Sequence, residues 1–269
     1  MKDFLSLIIT AALEAGDAIM EVYQTEDFGV DMKSDNSPLT KADIKAHNII
    51  QSYLDKTGIP VLSEEGRSIP YEERKNWSQL WIVDPLDGTK EFIKRNGDFT
   101  VNIALIENQV PIMGVVYAPA INEMYFASND KGSYRFQTDT IKDAETIISS
   151  AVKLPIKEER KTFRIVASRS HLSQETQDFI DQKEIEHGEI ELISKGSSLK
   201  LCMIADGSAD CYPRYAPTME WDTAAGQAIC LYAGADVIDW NTKKSMLYNR
   251  ENLLNNWFIV EKGVYNISR

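Results

Sequence analysis

The stretch that most constrains this chain is WIVDPLDGTKEF, residues 81–92, in which two aspartates directly follow an apolar run. The proline between them favours an extended backbone in the residue before it, so we expect Asp84 at the carboxyl end of a strand. Gly88 can adopt a backbone conformation that most residues avoid, and Thr89 can cap a helix that begins at Lys90. The segment therefore predicts a strand, a sharp turn and a helix N-terminus, with carboxylates at the junction.

The same two aspartates, Asp84 and Asp87, lie three residues apart. Neighbouring carboxylates raise each other's pKa, so both stay ionised at neutral pH only when a cation lies between them. A divalent cation beside the open amides of a helix N-terminus is an arrangement that binds phosphate. An Asp-Pro turn with an Asp-Gly corner explains the same residues without any ligand. From this segment alone, both interpretations stay open.

The charge of the chain narrows the class of substrate. It has 41 acidic and 29 basic residues among 269, a formal net charge of −12. Binding to a nucleic-acid polymer requires clustered Lys and Arg, so we expect no partner of this kind. An anionic small molecule would have to be attracted by metal ions and a few local cations.

The three cysteines indicate the compartment. Cys202, Cys211 and Cys230 show neither a CxxC motif nor a zinc-binding spacing. They predict buried structural thiols in a reducing compartment, and hence a cytoplasmic protein. Peripheral association with the cytoplasmic face of a membrane and the oligomeric state stay open.

The N-terminal half combines helices with a run of strands. Apolar residues three and four apart between Leu5 and Ile19 predict a helix, and the acids that interrupt them favour a retained helix over a signal peptide. A second helix fits Thr40 to Leu54. No later stretch approaches the length of a membrane span. Strands are predicted at residues 59–62, 81–83, 100–106, 112–118, 123–127 and 133–136.

The order of elements changes after a polar segment, residues 137–161. We place the passage between two halves there, with an α+β half at residues 1–150 and an α/β half at residues 151–269. The overall fold class is therefore α/β. Predicted strands of the second half are 163–168, 190–194, 209–212, 236–239 and 257–260, and its predicted helices are 174–181, 198–205 and 222–233.

Two further acidic residues occupy suggestive positions. Glu64, in LSEEG, follows an apolar strand, and Asp222, in WDTAAG, stands at the start of an Ala-rich helix. A solvated turn explains Glu64 equally well. A helix N-cap explains Asp222, because a carboxylate there satisfies free amides and the helix dipole.

Together, these motifs resemble the inositol monophosphatase superfamily of lithium-sensitive, magnesium-dependent phosphatases. The chain is similar almost from end to end to the bacterial 3'(2'),5'-bisphosphate nucleotidase branch, and the KEF that follows DGT points to that branch. The resemblance implies a layered α-β-α-β-α sandwich of the sugar-phosphatase type, with the metal cluster between the two halves. The motifs that carry it are AGDAIMEVY, NSPLTKADIKAH, PVLSEEG, DPLDGTKEFIKRNGDFTVNIALI, GVVYAP, GSSLK and YPRYAPTMEWDTAAG.

The resemblance also implies the metal site, which would hold two or more magnesium ions with one aspartate shared between them. Two such ions can activate a water and stabilise a leaving oxygen on one phosphorus. The first ion would bind Glu64, Asp84 and the Leu86 carbonyl, and the second Asp84, Asp87 and Asp222.

The family comparison adds Asp43 and Thr89 as the pair that orients and deprotonates the attacking water. Gly88 and Thr89 would donate to the phosphate. Thr40 to Asp43 also matches a capping box at the start of the second helix. We expect Thr40 to cap that helix while Asp43 points inward.

Substrate recognition is predicted for a second segment. KGSSLK opens a helix and can hold a second phosphate or a ribose through hydroxyl, amide and ammonium groups, although an ordinary Ser-capped helix explains it too. Arg214, between Tyr212 and Tyr215, can contact a base, and a surface loop is the alternative. The predicted substrate-binding residues are Gly88, Thr89, Gly196, Ser197, Ser198, Lys200, Arg214 and Asp222.

The expected activity is therefore that of a magnesium-dependent phosphomonoesterase. Its expected substrate is a nucleotide bisphosphate, adenosine 3',5'-bisphosphate, which would give AMP and phosphate. The sulfated relative, 3'-phosphoadenylyl sulfate, is a second expected substrate of sulfur metabolism. The alternatives are an inositol monophosphatase or other small phosphomonoesterase, and a non-catalytic metal-dependent phosphate binder.

Overall fold

A computed structural model describes residues 4–26, 28–32, 38–137, 143–156, 160–167 and 173–263. Among these residues, no helix has both the length and the apolar composition needed to cross a membrane. The helices are α1 (Phe4–Tyr23), α2 (Lys41–Leu54), α3 (Tyr71–Arg74), α4 (Thr89–Ile93), α5 (Ala144–Ser150), α6 (Gln174–His187), α7 (Leu199–Asp206) and α8 (Glu220–Leu231).

The strands form two large sheets and a small ribbon. The ribbon pairs β1 (Asp31–Met32) with β2 (Pro38–Leu39). The first large sheet has the order β3-β4-β5-β6-β7-β8-β9, antiparallel except for the parallel pair β3 and β4. Its strands are β3 (Val61–Ser63), β4 (Gln79–Asp87), β5 (Thr100–Glu107), β6 (Val110–Ala118), β7 (Glu123–Ser128), β8 (Gly132–Gln137) and β9 (Val152–Lys153).

The second large sheet has five strands in the order β11-β10-β12-β14-β13. Strand β10 runs parallel to both of its neighbours, and β14 runs antiparallel to both of its own. These strands are β10 (Phe163–Val166), β11 (Ile190–Ile193), β12 (Cys211–Arg214), β13 (Ala235–Asp239) and β14 (Phe258–Lys262).

Side chains on the central strands alternate between two cores. On β5, Val101, Ile103 and Leu105 pack with residues of α1 and α2. Ala104 and Ile106 point the other way and pack with α7, α8 and the second sheet. Alternation with apolar residues on both faces is what a strand covered on both sides requires. The first sheet therefore lies between two layers of helices.

A third cluster covers the outer face of the second sheet. Cys211, Ile238 and Ile259 pack there against Phe163 and against Phe179 of α6. The layers are thus α1 and α2, the first sheet, α7 and α8, the second sheet, and α6. The predicted α-β-α-β-α sandwich is confirmed.

The cysteines agree with their predicted role, since Cys202, Cys211 and Cys230 are all buried and unpaired. Elsewhere the polar segment after residue 137 contains structure that the sequence did not predict. Helix α5 and strand β9 follow the undescribed residues 138–142, and β9 still joins the first sheet just beyond residue 150. The division between halves at residue 150 stays a prediction.

Three local expectations were wrong. Strand β4 does not end at Asp84 but continues to Asp87. Helix α4 begins at Thr89, with Gly88 as its N-cap, so Thr89 is not the cap. Helix α8 begins at Glu220 and not at Asp222, which places Asp222 within its first turn. The predicted strand end at Ser168 lies outside the described residues.

Candidate active site

An irregularity in β4 brings the first two carboxylates together. Asp84 pairs with Asn102 of β5 and Asp87 pairs with Thr100, so three steps along β4 oppose two steps along β5. In a regular strand, side chains three residues apart point to opposite faces. The extra residue cancels that difference, as a β-bulge does, and brings Asp84 and Asp87 to the same side.

Asp222 completes a cluster at this point. Oxygen atoms of Asp84, Asp87 and Asp222 all lie within 4.8 Å of one another. Asp222 comes from the first turn of α8, far along the chain from β4, so the cluster forms only when α8 packs against the first sheet. Three carboxylates at this separation form a set of hard oxygen donors that can hold a divalent cation.

Each of these carboxylates has one oxygen fixed by a hydrogen-bond donor of the protein. Such bonds hold each side chain in one rotamer, so the cluster is oriented before any cation arrives. The donors are Leu86 N to Asp84 Oδ1 at 3.0 Å, Ser198 Oγ to Asp87 Oδ2 at 2.9 Å, and Met219 N to Asp222 Oδ2 at 2.8 Å.

The electrostatics of the cluster favour a cation. Burial raises the pKa of Asp84 well above its ordinary value, and the nearby charge of Glu64 adds to this effect. Burial also raises the pKa of Asp222 to about 8, with a further contribution from Asp87. Because the shifts come from desolvation and mutual repulsion, a bound cation would lower the cost of ionising all of these groups.

Glu64 reaches the cluster through the parallel pair of strands. Ser63 lies opposite Val83, and Glu64 N donates to the Val83 carbonyl at 3.1 Å, which extends that pairing by one residue. The charge of the nearby Glu64 carboxyl raises the pKa of Asp84. The predicted ligand thus lies beside the predicted shared aspartate, and not in a separate solvated turn.

Asp43 fulfils two roles through its two oxygens. Its Oδ2 accepts hydrogen bonds from Thr40 N at 2.7 Å and from Thr40 Oγ1 at 2.5 Å, which is the predicted capping box. Its Oδ1 accepts from Thr89 Oγ1 at 3.2 Å. The Thr89 hydroxyl also lies 3.3 Å from the Leu86 carbonyl oxygen. One buried carboxylate therefore both caps α2 and faces the predicted catalytic threonine.

Asp98 fixes the segment that precedes α7. Lys195 Nζ donates to Asp98 Oδ1 at 3.0 Å, Gly196 N donates to Oδ2 at 3.1 Å, and Ser197 Oγ donates to the Asp98 carbonyl at 2.5 Å. A Cβ on Gly196 would lie 2.6 Å from that carbonyl oxygen, so only glycine fits there without displacement. Sequence reasoning missed Asp98, although the turn residues Asn96 and Gly97 mark a loop in which a carboxylate can accept backbone and side-chain bonds.

Gly88 permits a second close approach, between the turn after β4 and the segment before α7. Its φ is +91°, and a Cβ would lie 3.1 Å from Ser197 Oγ and 3.1 Å from the Asp98 carbonyl oxygen. The left-handed backbone and the short contact both favour glycine at this position. Gly88 thus allows the turn after the two aspartates to lie against the predicted substrate segment.

A cavity of about 230 Å³ separates the carboxylates from the predicted substrate residues. Lys200 and Arg214 line it together with Asp87 and Asp222, so the structure brings the predicted recognition residues to the carboxylates. The sequence did not identify Glu91, Thr218 or Phe258, which line it too. The remaining lining residues include Gly88, Lys195, Gly196, Ser197, Leu201, Tyr212 and Thr223.

The two basic side chains that line this cavity, Lys200 and Arg214, differ in their surroundings. Lys200 Nζ donates to the Ser197 carbonyl at 2.7 Å, and burial, opposed by Asp87 and reinforced by Arg214, lowers the pKa of Lys200 to about 8. Arg214 Nη2 donates to the Pro217 carbonyl at 3.3 Å. Within the described part of the chain, the buried Arg214 Nε has no hydrogen-bond partner. That donor is available to an anion in the cavity.

Arg214 does not lie in a surface loop, because it belongs to β12. Its aromatic neighbours also point in different directions, as strand alternation requires. Tyr212 lines the cavity with Arg214, whereas Tyr215 packs against Trp240 and Trp257 at ring separations of 5.3 and 5.4 Å. Of the two tyrosines, only Tyr212 faces the cavity.

A second cavity, of about 400 Å³, meets the first at the carboxylates. Asp87, Gly88 and Asp222 line both cavities. Glu64 and Thr89 line only the second. A molecule that occupied both would therefore place its middle against the carboxylate cluster, with the Lys200 and Arg214 side chains at one end.

The whole chain is similar to proteins of one family. The model of the inositol monophosphatase family matches residues 1–267. The 3'(2'),5'-bisphosphate nucleotidase CysQ of Escherichia coli K12 is 45% identical over 95% of this chain and 98% of that relative.

Solved structures indicate the same family as the sequence comparison does. A crystal structure of CysQ from Bacteroides thetaiotaomicron, a bacterial member of the inositol monophosphatase family, is 49% identical and superposes with a TM-score of 0.89 over 97% of this chain and 98% of that one. The extragenic suppressor protein SuhB of Bartonella henselae, at 24% identity and a TM-score of 0.70 over 95% of this chain and 92% of that one, shares the fold. The chain therefore belongs to the inositol monophosphatase family.

Proposed function

We propose that this protein is a 3'(2'),5'-bisphosphate nucleotidase that hydrolyses the 3'-phosphate of adenosine 3',5'-bisphosphate to give AMP and phosphate. The observation that carries the proposal is the position of the carboxylate cluster between two cavities, one of which is lined by the basic side chains of Lys200 and Arg214. Relatives of nearly the same length that bear the nucleotidase name support the same conclusion. The sulfated nucleotide, 3'-phosphoadenylyl sulfate, has the same 3'-phosphate and is a second proposed substrate.

We infer that the ions are magnesium and that two or more bind, because the donor set consists of carboxylates and one carbonyl. The proposed ligands are Glu64, Asp84, the Leu86 carbonyl, Asp87 and Asp222. Bound there, the ions would lower the pKa of the attacking water and stabilise charge on the leaving oxygen.

The remaining chemistry belongs to the chain itself. Thr89 can accept a proton from the water as its own hydroxyl proton moves toward Asp43 Oδ1, to which it is hydrogen-bonded at 3.2 Å. Asp43 stays oriented for this role because Thr40 holds its other oxygen. The amides that follow Gly88 at the start of α4 would donate to the phosphate as its charge develops. The hydrogen-bonded pair of Asp43 and Thr89 argues for catalysis and against a non-catalytic phosphate binder.

We assign recognition of the nucleotide to the end of the cavity that lies away from the carboxylate cluster. The Lys200 ammonium and the unpartnered Arg214 Nε can bind the 5'-phosphate, which is remote from the reacting phosphorus. Gly196 and Ser197 line the same cavity and would contact the nucleotide between its two phosphates. Asp222 lies where the two cavities meet, since it lines both, and would contact the middle of the nucleotide.

A phosphate-release screen tests the proposed function. The purified protein with Mg²⁺ is offered adenosine 3',5'-bisphosphate, the sulfated nucleotide, adenosine 3'-phosphate and inositol monophosphates. We expect the highest kcat/KM for the bisphosphate, complete loss of activity in excess chelator, and inhibition by Li⁺. Preference for an inositol phosphate would support the alternative specificity, and full turnover in chelator would refute the metal-dependent mechanism.

Removing the basic side chain of Lys200 or Arg214 should weaken substrate binding more than it slows the chemical step. For Lys200→Ala and Arg214→Ala, we expect KM for the bisphosphate to rise about 10- to 100-fold, since a charged hydrogen bond contributes ~1.5–3 kcal/mol. KM for adenosine 3'-phosphate, which lacks the 5'-phosphate, should change much less. Steady-state kinetics on both substrates measure the difference, with Lys45→Ala, an exposed lysine paired with Glu21, as the matched control. An equal loss on both substrates would assign these cations to the catalytic centre or the fold.

The lowered pKa of Lys200 predicts a pH dependence of recognition. Lys200 is protonated below about pH 8 and loses its charge above it. The pH dependence of kcat/KM reports the ionisation of groups in the free enzyme, so kcat/KM for the bisphosphate should fall above that pH. The value for adenosine 3'-phosphate, which lacks the 5'-phosphate, should not show this fall. Rate profiles between about pH 7 and 9.5 measure it. In Lys200→Met the difference between the two profiles should vanish, and an unchanged difference would contradict the assignment.

A further inference from the structure

Ser198 was expected to cap α7 or to contact the substrate, but its hydroxyl makes no capping bond and the residue does not line the cavity. Ser198 is the N-cap residue of α7, yet its side chain makes no capping hydrogen bond. It is 1% exposed, whereas its neighbours Ser197 and Lys200 line the cavity. The hydroxyl instead lies 2.9 Å from Asp87 Oδ2 and 2.8 Å from the Asp222 carbonyl oxygen. A buried hydroxyl thus lies between two of the proposed metal ligands.

A chain of hydrogen bonds leads to this hydroxyl from β5. Thr100 Oγ1 donates to Asn102 Oδ1 at 3.0 Å, and Asn102 Nδ2 donates to Ser198 Oγ at 2.9 Å. Asn102 Nδ2 also lies 3.4 Å from Asp87 Oδ2. All three residues of this chain, Thr100, Asn102 and Ser198, are at most 1% exposed. We name them the positioning chain.

The direction of each bond follows from the donors available. With the Asn102 amide reversed, its carbonyl oxygen would face the Asp87 carboxylate, which places two acceptors together. Thr100 therefore donates to the amide oxygen, and the amide nitrogen donates to Ser198. Ser198 has one hydroxyl hydrogen, and since its oxygen accepts from Asn102, that hydrogen goes to Asp87 Oδ2, because a carboxylate accepts a stronger hydrogen bond than the Asp222 carbonyl does. The positioning chain thus ends on a metal ligand.

The positioning chain also joins elements that are far apart in the sequence. Thr100 and Asn102 belong to β5, beside the bulge of β4 that carries Asp87. Ser198 precedes α7, and the Asp222 carbonyl belongs to the first turn of α8. One buried hydroxyl therefore contacts both Asp87 and Asp222.

We propose that Ser198 and Asn102 are positioning residues that hold Asp87 Oδ2, which would leave the other Asp87 oxygen to bind a divalent cation together with Asp222. The proposal rests on the proposed metal-dependent function and deepens it. It assigns Ser198 to the metal site and not to substrate recognition. Outer groups of this kind, when removed from metal sites, weaken metal binding about 10- to 100-fold.

Calorimetric titration of the metal-free protein with Mg²⁺ alone, without substrate, tests the proposal. For Ser198→Ala we expect about 10-fold weaker Mg²⁺ binding, and for Asn102→Ala a similar or smaller loss. The double variant should lose less than the sum of both effects, because the two residues act in series. At saturating Mg²⁺, kcat should recover largely and KM for the bisphosphate should stay near the wild-type value.

Ser197→Ala is the matched comparison, because this neighbouring hydroxyl lines the cavity and bonds to Asp98. It should leave Mg²⁺ affinity unchanged. Unchanged Mg²⁺ affinity in Ser198→Ala together with a raised KM would overturn the proposal and make Ser198 a substrate contact. A purely structural role would also overturn it, and would appear as a lower Tm of the metal-free variants with the same Mg²⁺-induced increase in Tm as wild type.

The measurements distinguish a failure of the positioning role from a failure of the proposed nucleotidase function. A wild-type protein that binds Mg²⁺ but releases no phosphate from the bisphosphate would refute the nucleotidase assignment and leave the positioning role to be decided by the affinities. A wild-type protein that binds no Mg²⁺ would overturn both.

Discussion

Asp84→Asn is expected to lower kcat/KM by about 10³-fold or more, because loss of a shared ligand should exceed the ~10–100-fold effect of outer groups. Asp84 is 1% exposed and lies against Glu64, Asp87 and Asp222, so its charge acts on every other member of the cluster. Phosphate release at saturating Mg²⁺ measures the loss. Asp178→Asn, an exposed carboxylate on α6 that bonds to Gln174, is the matched control.

The same substitution should stabilise the metal-free protein. The pKa of Asp84 is raised in the folded state, so the unfolded chain releases this proton at a lower pH than the folded protein does, and stability falls as pH rises from about 4. Asparagine removes this charge, so the metal-free variant should have a higher Tm than wild type near neutral pH. The increase in Tm that Mg²⁺ gives the wild type should be reduced or absent. Wild-type turnover in Asp84→Asn would show that the shared-ligand assignment is wrong.

Asp43→Asn and Thr89→Ala should each lower kcat by about 10²- to 10⁴-fold, the range expected for loss of general acid–base catalysis. Both variants should still bind Mg²⁺, because neither residue belongs to the carboxylate cluster. Thr89→Ser should restore much of the activity, since the hydroxyl is what donates to Asp43. Single-turnover phosphate release separates this effect on chemistry from an effect on binding.

The capping role of Asp43 needs its own control. Thr40→Ala removes the hydroxyl that bonds to Asp43 Oδ2, and loss of such a cap costs ~1 kcal/mol of unfolding free energy. We expect this variant to have a lower Tm and to retain much more activity than Asp43→Asn. Equal kinetic losses in the two variants would reduce Asp43 to a helix cap.

The sequence determined the features that depend on nearby residues. Apolar spacing predicted α1 and α2, and the Thr40 capping box is present as expected. Alternation of strands and helices predicted the second half, and the layered fold is confirmed. The motifs around Glu64, Asp84 and Asp222 named the carboxylates that lie together in the structure. These features are encoded locally, because helix periodicity, caps and turns involve residues only a few positions apart.

Only the tertiary structure decided how those residues meet. Strand register, which no local pattern fixes, created the bulge that brings Asp84 and Asp87 to one side of β4. Contacts between residues about a hundred positions apart direct the Ser198 hydroxyl to Asp87 and not to its own helix, and direct Asp98 to Gly196. A buried hydroxyl or carboxylate must find a partner wherever the fold supplies one, so its role follows from three-dimensional neighbours and not from its place in the chain.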